Sequence, residues 1–113
     1  MPKGRHLAEF EQYVMLALLQ RGEDAYGVSI RQEIEARTGR PVSIGAVYAT
    51  LGRLSDKGLV ESWSSAPLPV RGGRARKHFR LTTRGELALR HTVQMLGRMA
   101  AGLELGTSAR AEK

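Results

Sequence analysis

The segment between Ser43 and Arg80 constrains the fold more than any other part of the chain, because it joins an amphipathic helix pattern to a basic hairpin pattern. In the helical part, five apolar residues recur at spacings of three and four. They are Ile44, Val47, Tyr48, Leu51 and Leu54. This periodicity predicts a helix that buries one face against the rest of the domain.

The opposite face of this predicted helix carries small or hydrogen-bonding side chains. Its members are Ser43, Gly45, Ala46, Ala49, Thr50 and Arg53. Such a face can enter the major groove of DNA without steric obstruction, and Arg53 can add a phosphate or guanine contact. We therefore predict a recognition helix in which Ser43, Gly45, Ala46, Thr50 and Arg53 face the groove. Tyr48 has two possible roles, because its ring belongs to the apolar stripe while its hydroxyl can reach a phosphate.

A β-hairpin is predicted directly after this helix. Gly58 lies where a helix C-terminal glycine belongs, and residues 59–64 have the β-branched and aromatic content of a strand. The loop that follows contains prolines and the pair Gly72-Gly73, so the chain can return as a second strand over residues 75–81.

The hairpin and the residues just after it are strongly basic. Between Ala66 and Arg84 there is no Asp or Glu, and the cations are Arg71, Arg74, Arg76, Lys77, Arg80 and Arg84. A cationic hairpin beside a recognition helix is the arrangement of a winged helix-turn-helix. We expect four wing cations to bind phosphates or to enter the minor groove. These are Arg71, Arg74, Arg76 and Lys77.

Two helices are predicted ahead of the recognition helix. The first should span about residues 8–21 and end at Gly22. Asp24 is a suitable N-cap for the second, which should extend to about Thr38. Pro41 prevents that helix from continuing, so only a short turn separates the second helix from the third, as in a helix-turn-helix.

A fourth helix is predicted over residues 83–105, with Thr83 and Glu86 forming a capping box. Its apolar residues follow a heptad seam, and the seam consists of Leu89, Val93, Leu96, Ala100 and Leu103. A second line of Leu87, Met95 and Met99 widens the apolar face beyond what one small domain easily covers. The helix either packs on its own domain or pairs two subunits. We favour a homodimer, since two half-sites double the contacts with DNA.

The domain organisation follows from these elements. We predict a flexible basic arm over residues 1–6, a winged helix-turn-helix DNA-binding domain over 7–82, a dimerisation helix over 83–105 and a flexible tail over 106–113. A chain of 113 residues has room for one modest core. The expected fold is therefore mainly α with a β-hairpin wing.

Four short motifs resemble those of the PadR-like transcriptional regulators. They are Phe10-Glu11-Gln12, Ala25-Tyr26-Gly27, the run from Gly45 to Leu51, and Gly72-Gly73-Arg74-Ala75 ahead of Phe79-Arg80-Leu81-Thr82. The motifs occur in the order of that family, and the resemblance covers roughly residues 7–103. It implies a dimeric repressor of the small type with a single C-terminal dimerisation helix. It also implies a phosphate contact for Tyr48.

The charge balance agrees with a polyanionic partner. There are 18 Lys+Arg against 11 Asp+Glu, a formal net charge of +7. Double-stranded DNA is the partner that the hairpin favours, with a small-molecule effector possible but not identified by any residue pattern. Two alternatives remain open. One is a basic protein-binding module that docks an acidic partner, and the other is an architectural DNA-binding protein without sequence preference.

Catalysis, metal binding and cofactor binding have no support in the sequence. The chain has no cysteine, and its three histidines show no metal-ligand spacing. Gly72-Gly73 lacks the lysine and hydroxyl residue of a phosphate-binding loop. The apolar run from Tyr13 to Leu19 is far shorter than the ~20 residues of a membrane span, so a cytoplasmic location without membrane contact is expected.

Overall fold

The structure is a computed structural model that describes residues 7–64 and 76–105. Its helices are α1 (Glu9–Arg21), α2 (Gly27–Thr38), α3 (Ile44–Asp56) and α4 (Thr83–Ala100). Its strands are β1 (Val60–Ser64) and β2 (Lys77–Leu81), which form one antiparallel pair. This architecture confirms the predicted fold class, mainly α with a β-hairpin wing.

The hydrophobic core lies where α1, α2 and α3 meet the base of the hairpin. Its fully buried side chains include Val14, Met15, Ile30, Val47, Leu51 and Leu54. Three of these come from α3, so the apolar stripe predicted for that helix faces the core as expected. Ile44 and Tyr48, at the edges of the stripe, remain exposed.

The junction between α1 and α2 differs from the prediction. Gly22 ends α1 as expected, with a φ of 60°, but Asp24 lies in a short 3₁₀ turn over Gly22–Asp24. The N-cap of α2 is Tyr26, whose N–H donates to the hydroxyl of Ser29 at 2.9 Å. The predicted role of Asp24 as N-cap is wrong. The side chain of Ser29, in the first turn of the helix, accepts the hydrogen bond from the backbone N–H at this end.

The hairpin is fastened to the helical domain along β2. Trp63 and His78 are directly opposed across the strands, and their rings stack with centroids 4.5 Å apart. The N–H of Phe79 donates to the carbonyl of Ala25 at 2.9 Å, which ties β2 to the segment ahead of α2. Strand β2 is therefore held against the helix-turn-helix.

A compact turn links α3 to the hairpin. Gly58 adopts a φ of 77°, and its N–H donates to the carbonyl of Ser55 at 3.0 Å. The next N–H, that of Leu59, donates to the carbonyl of Leu54 at 2.9 Å. These two hydrogen bonds form a Schellman motif, and they confirm the predicted helix-ending role of Gly58.

The start of α4 also differs from the prediction. Its N-cap is Thr82, whose hydroxyl accepts a hydrogen bond from the Gly85 N–H at 3.0 Å. Gly85 packs directly on the backbone of Leu59, since an added Cβ would lie 2.0 Å from the Leu59 carbonyl oxygen. The predicted capping box of Thr83 and Glu86 is wrong, because the third helical position is this glycine.

Helix α4 leaves the domain after its first turns. All of its residues are described, and among them only Gly85 and Leu89 are buried. The helix ends at Ala100, and Gly102 follows with a φ of 85°. Leu103 therefore lies beyond the helix, and the predicted helical span of 83–105 was too long. No helix within the described residues is both long and apolar enough to cross a bilayer.

Candidate nucleic-acid interface

The outward face of α3 carries little side-chain bulk. Ser43 caps the helix, with its hydroxyl accepting a hydrogen bond from the Ala46 N–H at 3.0 Å. The exposed positions beyond the cap include Gly45, Ala46, Ala49, Gly52 and Arg53. Of the residues predicted to face the groove, Gly45, Ala46 and Arg53 lie on this exposed surface, and Ser43 lies at its N-terminal edge.

The two glycines on this face are not required by the fold. Within the described residues, a methyl group added at Gly45 or Gly52 would meet nothing within 4 Å outside its own helix backbone and chain neighbours. A glycine in a helix interior destabilises it by roughly 0.5–1 kcal/mol relative to alanine. Gly52 was missed in the sequence analysis, although its i,i+7 spacing from Gly45 places both on one face.

Thr50 was predicted to face the groove, and this placement is wrong. Its side chain is buried, with 1% of its surface exposed. Position 50 follows Val47 by three residues and precedes Leu54 by four, so the helical repeat directs it inward. Its hydroxyl accepts a hydrogen bond from Arg53 Nη2 at 3.0 Å.

The side chain of Tyr48 extends from α3 toward the start of α2. Its side chain is 46% exposed, and its ring packs against Gly27 so closely that an added Cβ there would lie 2.3 Å from the phenol oxygen. The hydroxyl therefore lies beside the first turn of α2. In helix-turn-helix proteins the first helix of the pair crosses the DNA backbone, so this position suits a phosphate contact.

A buried carboxylate organises the C-terminal half of α3. Glu11 of α1 accepts two hydrogen bonds from Lys57 Nζ, at 2.9 and 3.1 Å, and lies 3.9 Å from Arg53 Nε. Burial alone would raise the pKa of Glu11. The hydrogen bonds from Lys57 and from the Ala8 N–H, together with the charges of Lys57 and Arg53, outweigh burial and lower the pKa below its usual value.

The wing contributes cations at the start of β2. Arg76 and Lys77 are both exposed, and the Arg76 guanidinium lies 4.2 Å from the centre of the Tyr26 ring. Arg80 pairs with Glu61 across the hairpin at 2.8 Å. The other two predicted wing contacts, Arg71 and Arg74, lie outside the described residues.

The residues predicted for the dimer interface divide into two groups. Leu89 is 3% exposed and packs in the core of its own domain, so its assignment to a surface seam is wrong. Val93, Leu96 and Leu103 are exposed, and Ala100 is half-buried.

A groove of about 330 Å³ lies between α4 and α1, and its lining includes the exposed Leu16 and Leu19. These two leucines were not predicted.

Metal chemistry has no site in the part of the chain that the structure describes. Residues 7–64 and 76–105 contain no group of three or more His, Cys, Asp or Glu side chains that could hold an ion.

These elements define the class of protein. Helices α2 and α3 are joined by a short turn, and α3 has an outer face of small residues. Together with a hairpin that carries exposed cations, they form a winged helix-turn-helix. A model of the PadR-like family of transcriptional regulators matches residues 15–91, which is more than half of the chain. The protein belongs to this family, whose members are DNA-binding transcriptional regulators.

Solved structures share this fold. A PadR-like transcription factor from Bacteroides fragilis is 27% identical, with a TM-score of 0.66 over 80% of this chain and 82% of that one. A PadR family regulator from Clostridium difficile is 24% identical, with a TM-score of 0.67 and coverages of 84% and 94%. RosR of H. salinarum is also 24% identical, with a TM-score of 0.67 and coverages of 97% and 89%. No curated protein matches the chain.

Proposed function

We propose that the protein is a homodimeric transcriptional repressor that binds an operator within a promoter and thereby excludes RNA polymerase. The outer face of α3 is the observation that carries this proposal. Gly45 and Gly52 weaken the helix, and an added methyl would fit the described fold at either position. A close approach to a partner surface explains both glycines. In a winged helix-turn-helix, the surface that the recognition helix approaches is the major groove of DNA.

In the proposed complex, α3 lies in the major groove. Ser43, Gly45 and Ala46 face the base edges, and Arg53 contacts a guanine or a phosphate at the side of the groove. Tyr48 reaches the phosphate backbone beside the start of α2. The wing cations Arg71, Arg74, Arg76 and Lys77 bind phosphates or enter the adjacent minor groove.

Two copies would pair through α4. Beyond Leu89 the helix carries exposed apolar residues, among them Val93, Leu96 at 65% exposure, and Met99. Leu16 and Leu19 of α1 extend this apolar surface across the groove between the two helices. Contiguous apolar surface of this kind marks an interface, and a second copy of α4 offers a matching apolar face.

The proposal is tested by selecting duplexes from a random-sequence DNA library with the purified protein. A sequence-specific regulator should bind the selected duplex at least about 10³-fold more tightly than random DNA at physiological salt. Sedimentation should show a dimer, with the selected sequence containing two related half-sites. A regulator should also reduce expression of a reporter whose promoter carries that duplex.

The alternatives give different results in the same experiment. An architectural DNA-binding protein would bind all duplexes with similar affinity and would yield no enriched sequence. A module for an acidic protein would bind all duplexes weakly and would also yield no enriched sequence. Either result would overturn the proposed function.

A further inference from the structure

We infer that Thr50 and Glu11 are positioning residues that hold Arg53 in one orientation for recognition of the operator. The inference rests on the proposed function, in which Arg53 contacts DNA. It assigns a role to two side chains that are buried and that cannot reach DNA themselves.

Thr50 holds Arg53 from within α3. A hydroxyl at a buried position is costly unless it is hydrogen bonded. The Thr50 hydroxyl accepts from Arg53 Nη2 at 3.0 Å, which places the guanidinium against its own helix. Because Thr50 is packed among core residues, this acceptor has a fixed position.

Glu11 holds Arg53 from α1. Its side chain is 4% exposed and lies 3.9 Å from Arg53 Nε. The carboxylate is itself immobile, since it accepts from the Ala8 N–H at 2.9 Å and from Lys57 Nζ at 2.9 Å. The negative charge that attracts Arg53 therefore has a fixed position on α1.

The two contacts leave Arg53 able to bind DNA. The hydrogen bond to Thr50 uses Nη2, the ion pair with Glu11 lies on the Nε side of the guanidinium, and the Arg53 side chain remains 56% exposed. The edge formed by Nη1 and Nη2 can still meet a guanine or a phosphate in a bidentate manner. An arginine that is already ordered loses less rotamer freedom on binding, which favours affinity and fixes the base position that it contacts.

A double-mutant cycle on the full-length protein tests this inference. Thr50→Val removes the acceptor with little change in volume, and Thr50→Ser is the matched control that keeps the hydroxyl. We expect Thr50→Val to weaken binding to the selected duplex by about three- to tenfold per half-site, with a smaller effect on random DNA. Thr50→Ser should bind as the wild type does. In an Arg53→Ala background, Thr50→Val should have no further effect.

The possible results separate this inference from the proposed function. If Thr50→Val weakens binding equally in the wild-type and Arg53→Ala backgrounds, Thr50 acts through packing and the inference is wrong. If Arg53→Ala leaves binding to the selected duplex unchanged, the inference also fails, whereas the proposed function stands as long as the wild type discriminates that duplex. A wild type without discrimination overturns the proposed function itself.

Glu11→Gln provides a second variant should Thr50→Val fail to fold. Glutamine can keep the hydrogen bond to the Ala8 N–H but removes the negative charge behind Arg53. We expect the ratio of specific to random binding to fall in this variant when Arg53 is present. An unchanged ratio would contradict a positioning role for Glu11. Circular dichroism and thermal melting of each variant confirm that it is folded.

Discussion

Replacing Gly52 with alanine should separate stability from DNA binding. Gly52 lies in the interior of α3 on its exposed face, and an added Cβ has open space among the described residues. Alanine should therefore stabilise the helix by roughly 0.5–1 kcal/mol, because glycine loses more backbone freedom on folding. For a domain of this size, such a gain raises the melting temperature by a few degrees, about 2–6 °C.

The same methyl group should obstruct DNA binding. If the α3 backbone approaches the groove at Gly52, the added carbon must push the helix outward and lengthen neighbouring contacts in both half-sites. Loss of about 1–2 kcal/mol in each of two half-sites corresponds to a weakening of roughly 30- to 700-fold for the dimer. The assay is fluorescence anisotropy on the selected duplex, with thermal denaturation of the same preparation.

Ala36→Gly is the matched control for this experiment. Ala36 is exposed in α2 and lies outside the proposed interface, so the loss of its methyl should destabilise the protein by a similar amount without changing DNA affinity. If the Gly52→Ala variant is more stable and binds the selected duplex as tightly as the wild type, the outer face of α3 does not contact DNA as proposed.

Three further outcomes are expected. Leu96→Glu should give folded monomers by sedimentation and circular dichroism, because a charge would be buried in the proposed interface; a folded variant that remains dimeric would place the interface elsewhere. Four cations from each of two wings can neutralise about 8 phosphates, so log K against log[salt] should have a slope of about −7, and a shallow slope would contradict wing contact with DNA. The lowered pKa of Glu11 means that its contribution to the free energy of unfolding is present above the unfolded pKa and is lost as pH falls through the folded one. Urea titrations should therefore show less acid destabilisation in Glu11→Gln than in the wild type.

The local signals in the sequence predicted most of the elements correctly. The structure contains the predicted helix ends at Gly22 and Gly58 and the predicted apolar stripe of α3. Each of these depends on interactions within a few residues of the chain. The repeat of apolar side chains in α3 also predicted which side of that helix meets the core, since it reflects the average burial of a whole face.

The candidate interface could be predicted only in part, because its boundaries depend on distant contacts. Thr50 and Arg53 were assigned to one face of α3, but Thr50 is buried in the folded domain and Arg53 remains exposed beside Glu11 of α1. The ion pairs of Glu11 with Lys57 and Arg53 join residues more than forty positions apart, and no spacing in the sequence indicates them.

The sequence by itself determined the helix-turn-helix, the hairpin and the basic character of the wing, because turn residues, caps and hydrophobic periodicity act over short distances. Only the tertiary structure decided the roles of Thr82 and Leu89. Thr82 caps α4, and Gly85 in the first turn of that helix lies directly against the backbone of Leu59. Leu89 belongs to the heptad pattern but lies in the core, because the first turns of α4 pack on their own domain before the helix extends away from it. A periodic pattern identifies a face that will be buried, whereas the packing of the elements determines what buries each residue.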